Sequence, residues 1–494
     1  RDESGEQLAF DLWTAAFFWP IPTEENSQSL SERARTGIIM RKGERQTPLP
    51  PTYQDINQAL ASSQLVDVRM KEYAHKLLDE LYFFHWELEF PDVFGAEGSG
   101  GFDVVLGNPP WERIKLQEKE FFAIHAPYIA ETSSGAVRKQ KILELQTVNP
   151  QLYQLFAQSS LLSERLSKFT RVSQRFQYTG QGDVNTYALF AEHDLNITSN
   201  HGRIGVVVET GIATQDTYKD FFQVIVKNKN LVSILDFENG EKIFPDVQGN
   251  MKFSLLTLSH IPFNQVRIGA QLQRVDDLDK QGRIYNLRPE DLALLNPNTL
   301  TLPTIKNIDD VNLVVKIHRH TPVLVNENDG QNYWGTIFGR MFDMTNDAHL
   351  FKTLESFDRK KFSLLGNIFK SQEETWIPLY ESKFIAQYNH RHATFEGIEP
   401  SDRFKIHAGT KSPQSSDLQN ALWMPIPRYW ISFNNVKDVY KDRWHYNWWL
   451  GFRNAISAVA DVRSTVFSII PRYGAGNSLP LLFSDQGAGK VLCL

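Results

Sequence analysis

Hydrophobic and polar positions divide the chain into a helical beginning, a middle of alternating strands and helices, and an irregular end. Within Val66–Leu88, apolar side chains return every three or four residues, which predicts a helix. Phe102–Leu106 and Ile204–Val208 are short apolar runs typical of buried parallel strands, and helical sequence such as Leu143–Ser167 lies between them. This alternation of strands and helices predicts an α/β fold.

A second pair of apolar runs, Leu231–Phe237 and Phe253–Leu258, is separated by a polar, glycine-containing segment and predicts a hairpin with a long loop. From about Thr321 the sequence becomes rich in Gly, Asn, Asp and aromatic residues, which indicates a second, irregular α+β domain. We therefore predict four regions: a mixed or helical segment 1–97, a catalytic region 98–265, a connecting region 266–330 and a C-terminal domain 331–494.

Composition narrows the class of protein. The 494 residues are 41% hydrophobic and include 11 Trp, 16 Tyr and 33 Phe, so the chain can bury substantial cores. Its single cysteine, Cys493, excludes an internal disulfide and a cysteine-based zinc framework, which favours a reducing, cytoplasmic location. No apolar stretch approaches the roughly 20 residues that cross a bilayer, so we expect no membrane partner. The chain opens at Arg1, and we expect an upstream part.

Charge is unevenly distributed along the chain. The formal net charge of −6 gives no overall case for nucleic-acid binding, but Asp402–Tyr473 holds ten Lys or Arg against five Asp, with thirteen aromatic residues among them. Such a region is either a DNA surface, where cations contact phosphates and aromatic rings stack, or an aromatic core with a basic rim. On the first interpretation, the predicted DNA-binding residues are Arg428, Arg443, Arg453, Arg463 and Arg472.

The most informative stretch is Phe102–Trp111, with the sequence FDVVLGNPPW. A strand that ends at Gly107 brings the next residues to the carboxyl edge of the sheet, where α/β folds bind ligands. Two prolines remove backbone donors, so the turn presents carbonyl oxygens beside the Asn108 amide. A ligand amino group can give one hydrogen to Asn108 and the other to the Pro109 carbonyl, while its ring stacks on Trp111. The same residues also fit an ordinary turn with a surface tryptophan, but the flanking apolar strand and aromatic ring favour a ligand site.

This motif resembles the catalytic motif of adenine-N6 DNA methyltransferases, and its surroundings resemble the TaqI-like class of large restriction and phage-defence methylases, including type IIG and DISARM systems. Phe84–Phe94, Gly182–Phe190 and Gly202–Phe222 resemble segments on either side of the catalytic turn in that class. The resemblance implies a partial Rossmann-like methyltransferase sheet followed by an α+β domain similar to target-recognition domains. It also implies cytoplasmic restriction-modification or phage defence, with double-stranded DNA and other defence subunits as partners.

By the same resemblance, four residues take catalytic roles: Asn108, Pro109, Pro110 and Trp111. Phe237–Ser259 resembles a hairpin whose loop supplies an aromatic face, so Phe244 would stack on a flipped adenine opposite Trp111. The polar neighbours of Phe244 also predict an exposed ring. The implied methyl donor is S-adenosylmethionine, with Asn108 and Pro109 beside it and no metal required.

One feature of that class is missing from the sequence. Its glycine-rich donor-binding loop lies well before the catalytic motif, whereas the glycine-rich stretch Phe94–Phe102 stands too close to NPPW for the intervening strands. We therefore expect a fragment without the N-terminal cofactor loop. Two other functions stay open: a methyltransferase acting on glutamine or RNA, and a catalytically silent DNA-binding or specificity module of a defence complex.

Overall fold

The computed structural model describes residues 4–20, 48–95, 100–132, 135–404, 409–442, 444–454, 465–487 and 489. The chain forms two compact units, Arg1–Pro322 and Val323–Leu494. The boundary between them falls within the predicted connecting region 266–330. The functional division of the chain into four regions stays a prediction.

Near the start of the first unit, three helices among the described residues share an apolar core: α1 (Gly5–Phe18), α2 (Tyr53–Ala61) and α3 (Val68–Leu81). Ser4 and Asp67 cap α1 and α3, because their side-chain oxygens accept hydrogen bonds from first-turn N–H groups. The prediction of one helix over Val66–Leu88 is wrong at its end. Tyr82 adopts a left-handed backbone with φ of 53°, which ends α3, and two single-turn helices follow, α4 (Trp86–Glu89) and α5 (Pro91–Phe94).

Five helices lie between the first two strands of the sheet. They are α6 (Glu118–His125), α7 (Pro127–Ala130), α8 (Gly135–Val148), α9 (Pro150–Val172) and α10 (Thr186–Ile197). The predicted helical segment Leu143–Ser167 therefore spans two helices instead of one. Pro150 lacks an N–H donor and starts α9, while the Asn149 side chain caps it by accepting from the Leu152 N–H at 3.1 Å.

The first unit contains a mixed sheet with the strand order β1, β2, β4, β3, β5, β6. These strands are β1 (Phe102–Gly107), β2 (Thr198–Glu209), β3 (Leu231–Glu238), β4 (Lys252–Ser259), β5 (Val266–Leu272) and β6 (Ile284–Leu287). β1 is parallel to β2, and β3 is parallel to β5, whereas β4 runs antiparallel to both β2 and β3 and β6 runs antiparallel to β5. The predicted α/β fold is confirmed, and the predicted hairpin is formed by β3 and β4.

Helices cover this sheet and complete its core. α11 (Gly211–Thr214) and α12 (Lys219–Lys227) connect β2 to β3, and α13 (Pro289–Leu295) and α14 (Ile308–His320) follow β6. The buried face of α12 contributes Phe221, Phe222 and Ile225 to the core beneath the central strands. This packing supports the strands near the edge where the turn after β1 begins.

β1 forms one edge of the sheet in the described part of the chain, and its side chains are not buried. Val104 is 68% exposed and Leu106 is 83% exposed, so the prediction of a buried strand at Phe102–Leu106 is wrong. The neighbouring run Ile204–Val208 behaves differently, because it lies between β1 and β4 and buries alternate side chains. An apolar run alone does not reveal which strand lies at the edge.

The second unit contains two sheets. The first has the order β8, β12, β11, β10, β9, with β15 parallel to β11, and the second has the order β14, β13, β16, β7. Their strands are β7 (Thr336–Gly339), β8 (Phe351–Thr353), β9 (Ser363–Leu365), β10 (Ile368–Lys370), β11 (Thr375–Tyr380), β12 (Tyr429–Ser432), β13 (Trp448–Asn454), β14 (Thr465–Pro471), β15 (Gly474–Ala475) and β16 (Leu481–Ser484). Short helices α15 (Pro400–Arg403), α16 (Ser415–Gln419) and α17 (Phe433–Val436) interrupt them. Fully buried rings of Trp430, Trp444 and Trp449 anchor this α+β unit.

Asp277 stabilises the connection between β5 and β6. Its carboxylate accepts hydrogen bonds from Lys280 Nζ at 2.6 Å and from the backbone N–H groups of Gln273 at 2.8 Å and Arg274 at 3.1 Å. These bonds favour the charged form and lower the pKa of Asp277 to about 2. Because this pKa lies below that of an unfolded aspartate, about 3.9, the stabilisation is present above pH ~4 and is lost as pH falls toward 2.

We expect Asp277→Asn to lower the free energy of unfolding by about 1 kcal/mol at pH 7. Thermal unfolding of wild type and variant should differ equally at pH 7 and pH 5, and the difference should shrink below pH 4. The exposed neighbour Asp276 provides the control, since Asp276→Asn should change the unfolding temperature little at any of these pH values. A difference that stays constant below pH 4 would show that the Asp277 charge contributes nothing.

Candidate functional site

The turn after β1 is fixed by the Trp111 ring. Its Nε1 donates to the Val207 carbonyl in β2 at 3.3 Å, and the ring meets Tyr187 edge-on, with centroids 6.3 Å apart. Trp111 is half-buried, whereas Asn108 is exposed at the end of the strand. The indole therefore has a defined orientation while the Asn108 amide faces solvent.

Thr186 at the start of α10 binds the same turn from the other side. Its Oγ1 donates to the Pro110 carbonyl at 2.6 Å and accepts from the Glu112 N–H at 2.9 Å. The Thr186 N–H donates in return to the Glu112 carbonyl at 2.9 Å. The turn is thus bonded to two elements that follow it in sequence, a role for Thr186 that sequence reasoning did not identify.

Phe244 lies in the loop that joins β3 to β4. Its ring packs edge-on against Phe253 of β4, with centroids 5.0 Å apart and ring planes at 73°. The side chain remains 37% exposed. One edge of the ring is therefore anchored to the sheet and the remainder is accessible.

These residues line a single pocket of about 270 Å³. Asn108, Pro109 and Trp111 come from the turn after β1, and Phe244 comes from the β3–β4 loop. The remaining lining residues are apolar: Val207, Val247, Met251 and Phe253. The pocket combines three aromatic rings, apolar walls and an amide beside a proline carbonyl, which suits a planar ring that carries an amino group.

Buried polar groups support the strands around this pocket. Asp236 of β3 accepts from Thr210 Oγ1 at 2.5 Å and from the Gln271 N–H of β5 at 3.2 Å, and Ser254 Oγ of β4 donates to Thr210 Oγ1 at 3.3 Å. Burial raises the pKa of Asp236, although the bond from Thr210 opposes this shift. The group connects β3, β4, β5 and the residue after β2. It was missed because its members are far apart in sequence.

A second buried group lies behind Trp111. The Tyr187 hydroxyl shares hydrogen bonds with Tyr218 and with Glu209, the last residue of β2. Burial raises the pKa of Tyr187, so this phenol stays neutral at physiological pH. The support behind the indole is therefore an uncharged, hydrogen-bonded ring.

A protein-family model matches the part of the chain that includes the turn after β1. Residues 9–169 and 158–244 match the family model of the Eco57I restriction-modification methylase, and together these spans cover just under half of the chain. This part of the chain is similar to the Eco57I restriction-modification methylase family. The matched spans contain the whole turn after β1 and end at Phe244. A comparison with curated proteins returned no match.

Several solved restriction-modification enzymes are similar to this chain at low identity. The type I methyltransferase subunit from Streptococcus thermophilus is 14% identical over 50% of this chain and 46% of its own length, with a TM-score of 0.26. The type IIL enzyme MmeI in complex with DNA is 10% identical over 87% of this chain and 49% of its own, with a TM-score of 0.34. The type IIG endonuclease BpuSI is 11% identical over 79% and 42%, with a TM-score of 0.24. The chain thus spans about half the length of the first two.

The predicted DNA-binding arginines occupy different environments. Arg428 forms an ion pair with Glu381 through two of its nitrogens, donates to the Arg403 carbonyl at 3.3 Å and leaves 17% of its side chain exposed. This placement favours a structural role for Arg428. Arg443 and Arg463 lie outside the described residues.

The other two arginines are half-buried and bonded to backbone carbonyls. Arg453 Nε donates to the Ile385 carbonyl at 3.4 Å. Arg472 donates to the Lys437 carbonyl at 3.3 Å, and its guanidinium lies 4.9 Å from the centre of the Trp449 ring. Their roles toward DNA stay predictions.

No cluster of three or more His, Cys, Asp or Glu side chains in the described part of the chain is arranged to hold a metal ion. Among the described helices, none combines the length and apolar character needed to cross a bilayer.

Proposed function

We propose that this chain carries the base-binding and catalytic part of an adenine-N6 DNA methyltransferase of a restriction-modification or phage-defence system. The observation that supports this function is the single pocket lined by Asn108, Pro109, Trp111 and Phe244. The match of residues 9–169 and 158–244 to the restriction-modification methylase family model supports the reaction class. The resemblance of NPPW to adenine-specific methyltransferases supports the choice of base.

The proposed mechanism begins with an adenine that is rotated out of the duplex into the pocket. Trp111 and Phe244 contact its two faces, which compensates for lost stacking in the duplex. The Asn108 side-chain oxygen and the Pro109 carbonyl each accept a hydrogen from the amino group, so the nitrogen is held in one orientation. Rate enhancement then comes from positioning the amine.

S-adenosylmethionine is the proposed donor and supplies the methyl group. The described residues before β1 form helices and no β-strand, so the strand and glycine-rich loop expected to hold the donor have no counterpart among them. Asn108 and Pro109 remain the residues proposed to lie beside the donor. The same observation favours a second candidate function, a DNA-binding module of a defence complex that has no catalytic activity.

Methylation of unmodified phage DNA distinguishes these functions. The full-length protein is incubated with tritiated S-adenosylmethionine and this DNA, and the digested nucleosides are separated. Labelled N6-methyladenine supports the proposal, and labelled N4-methylcytosine would contradict the base assignment. DNA binding without any label would favour the silent module, whereas label in RNA or protein alone would point to another substrate class.

We expect DNA binding to weaken steeply with salt despite the net charge of −6. The predicted DNA surface lies in Gln331–Leu494, and cations that contact several phosphates release bound counterions. Affinity for a random duplex should fall at least tenfold between about 50 and 200 mM NaCl. Fluorescence anisotropy of the full chain with a labelled duplex measures this. A flat response, or no binding at 50 mM NaCl, would identify the basic region as an ordinary aromatic core.

A further inference from the structure

The pocket-lining part of the β3–β4 loop converges on one buried side chain. Three loop residues line the pocket: Phe244, Val247 and Met251. All three are hydrogen-bonded to Asn239, which directly follows β3. Asn239 itself does not line the pocket and is 0% exposed.

The Asn239 side chain binds both the backbone N–H and the backbone carbonyl of Phe244. Asn239 Oδ1 accepts from the Phe244 N–H at 2.9 Å, and Nδ2 donates to the Phe244 carbonyl at 2.9 Å. Nδ2 also donates to the Val247 carbonyl at 3.0 Å, and the Asn239 backbone N–H donates to the Met251 carbonyl at 2.9 Å. An asparagine amide in this orientation meets both needs, because its oxygen accepts from the N–H group and its nitrogen donates to the carbonyls.

These bonds fix the backbone of Phe244, whose ring contacts the sheet through its edge against Phe253. The loop is polar, and the Phe244 ring has Phe253 as its aromatic neighbour. Buried hydrogen bonds are costly to leave unmade, so the intact network restricts the loop to one conformation. A ring that is already in place loses less conformational entropy when a base stacks on it.

We infer that Asn239 is a positioning residue, which holds Phe244 as one wall of the base pocket and acts on the target base only through it. This inference rests on the proposed function, because it presumes that a base occupies the pocket. The buried Asn239 side chain orders the exposed ring of Phe244. Loss of the Asn239 amide should therefore reduce base flipping into the pocket more than it reduces affinity for duplex DNA.

Asn239→Asp is the sharpest test, since it keeps the shape and one acceptor but places a carboxylate oxygen against the Phe244 and Val247 carbonyls. Target sites are first located by sequencing DNA that the full-length protein has methylated. With 2-aminopurine at the target position, the fluorescence increase on base flipping should fall at least fivefold, and kcat should fall about 10- to 100-fold. The dissociation constant for the duplex should change less than threefold.

Lys242 supplies the matched control in the same loop. Its Nζ donates to the Val247 carbonyl at 2.8 Å from an exposed position, so Lys242→Met removes one bond to that carbonyl and leaves the buried amide intact. Flipping and kcat should stay within twofold of wild type. If Asn239→Asp fails to fold by circular dichroism, Asn239→Ser decides the question, because its shorter hydroxyl cannot bridge all the partners; we expect an intermediate loss of flipping.

A double-mutant cycle separates positioning from a general structural role. Phe244→Ala removes the ring that Asn239 holds, so Asn239→Asp should reduce flipping little further in that background. Additive losses, or flipping within twofold of wild type in a folded Asn239 variant, would overturn the inference. Failure of the proposed function looks different: wild type would then neither flip nor methylate adenine. Loss of activity in Asn108→Ala with full activity in Asn239→Asp would refute the positioning role alone.

Discussion

Replacing Asn108 with alanine is expected to abolish adenine methylation, with kcat reduced by at least a thousandfold. The exposed Asn108 amide lies at the end of β1 and lines the pocket, and the only task assigned to it is orientation of the amino group. Removing a positioned hydrogen-bonding group from a reaction centre commonly costs 10² to 10³ in rate. Loss of the accompanying alignment of the nitrogen adds to this.

Single-turnover methylation by the full-length protein measures the effect. The unfolding temperature and the dissociation constant for duplex DNA should remain close to wild type, because Asn108 is exposed and has no assigned phosphate contact. Thr186→Ser is the control at a residue of α10 that contacts the same turn, since it preserves the hydroxyl that donates to the Pro110 carbonyl. Methylation by Asn108→Ala within a few-fold of wild type would remove Asn108 from the mechanism.

Phe244→Ala is expected to reduce both base flipping and methylation by about 10- to 100-fold. Stacking of one base on an aromatic side chain contributes about 1–3 kcal/mol, and each 1.4 kcal/mol corresponds to a factor of ten. The ring is 37% exposed and makes an edge contact with Phe253, so its loss should leave the domain folded. Phe244→Trp should be partly tolerated, since it retains a stacking surface.

The fluorescence of 2-aminopurine at the target position reports flipping, and thermal unfolding reports the fold. A Phe244→Ala variant that unfolds far below wild type would mean that the ring is a core residue. A variant with normal flipping would mean that the two-sided contact with Trp111 does not form. Either result contradicts the proposed contact, whereas impaired flipping with a normal unfolding temperature supports it.

Local sequence signals were sufficient for the strands that frame the pocket. The paired apolar runs predicted β3 and β4, and NPP at the end of an apolar run located the turn after β1. Hydrophobic periodicity did not place the end of α3 or the break before α9. The break at Pro150 has a local chemical cause, whereas the exposure of β1 depends on which strands lie beside it.

Long-range polar contacts could not be predicted from the sequence. Arg428 counted as one more cation in a basic region, but its partner Glu381 lies 47 residues away. Asp236 and Gln271 are similarly separated by 35 residues. Asn239 lies close to Phe244 in sequence. However, no sequence pattern distinguishes a buried asparagine that makes several hydrogen bonds from a solvated one in a polar loop.

The exposed edge of β1 has a consequence for the behaviour of the chain in solution. In the described residues, no strand bonds to the side of β1 that faces away from β2, so alternate main-chain groups there are available to another strand. Deuterium should replace these amide hydrogens within seconds, while the amides of β2 exchange slowly. Val104 and Leu106 add apolar surface to the same strand, so we expect this chain to self-associate through β1 as its concentration rises.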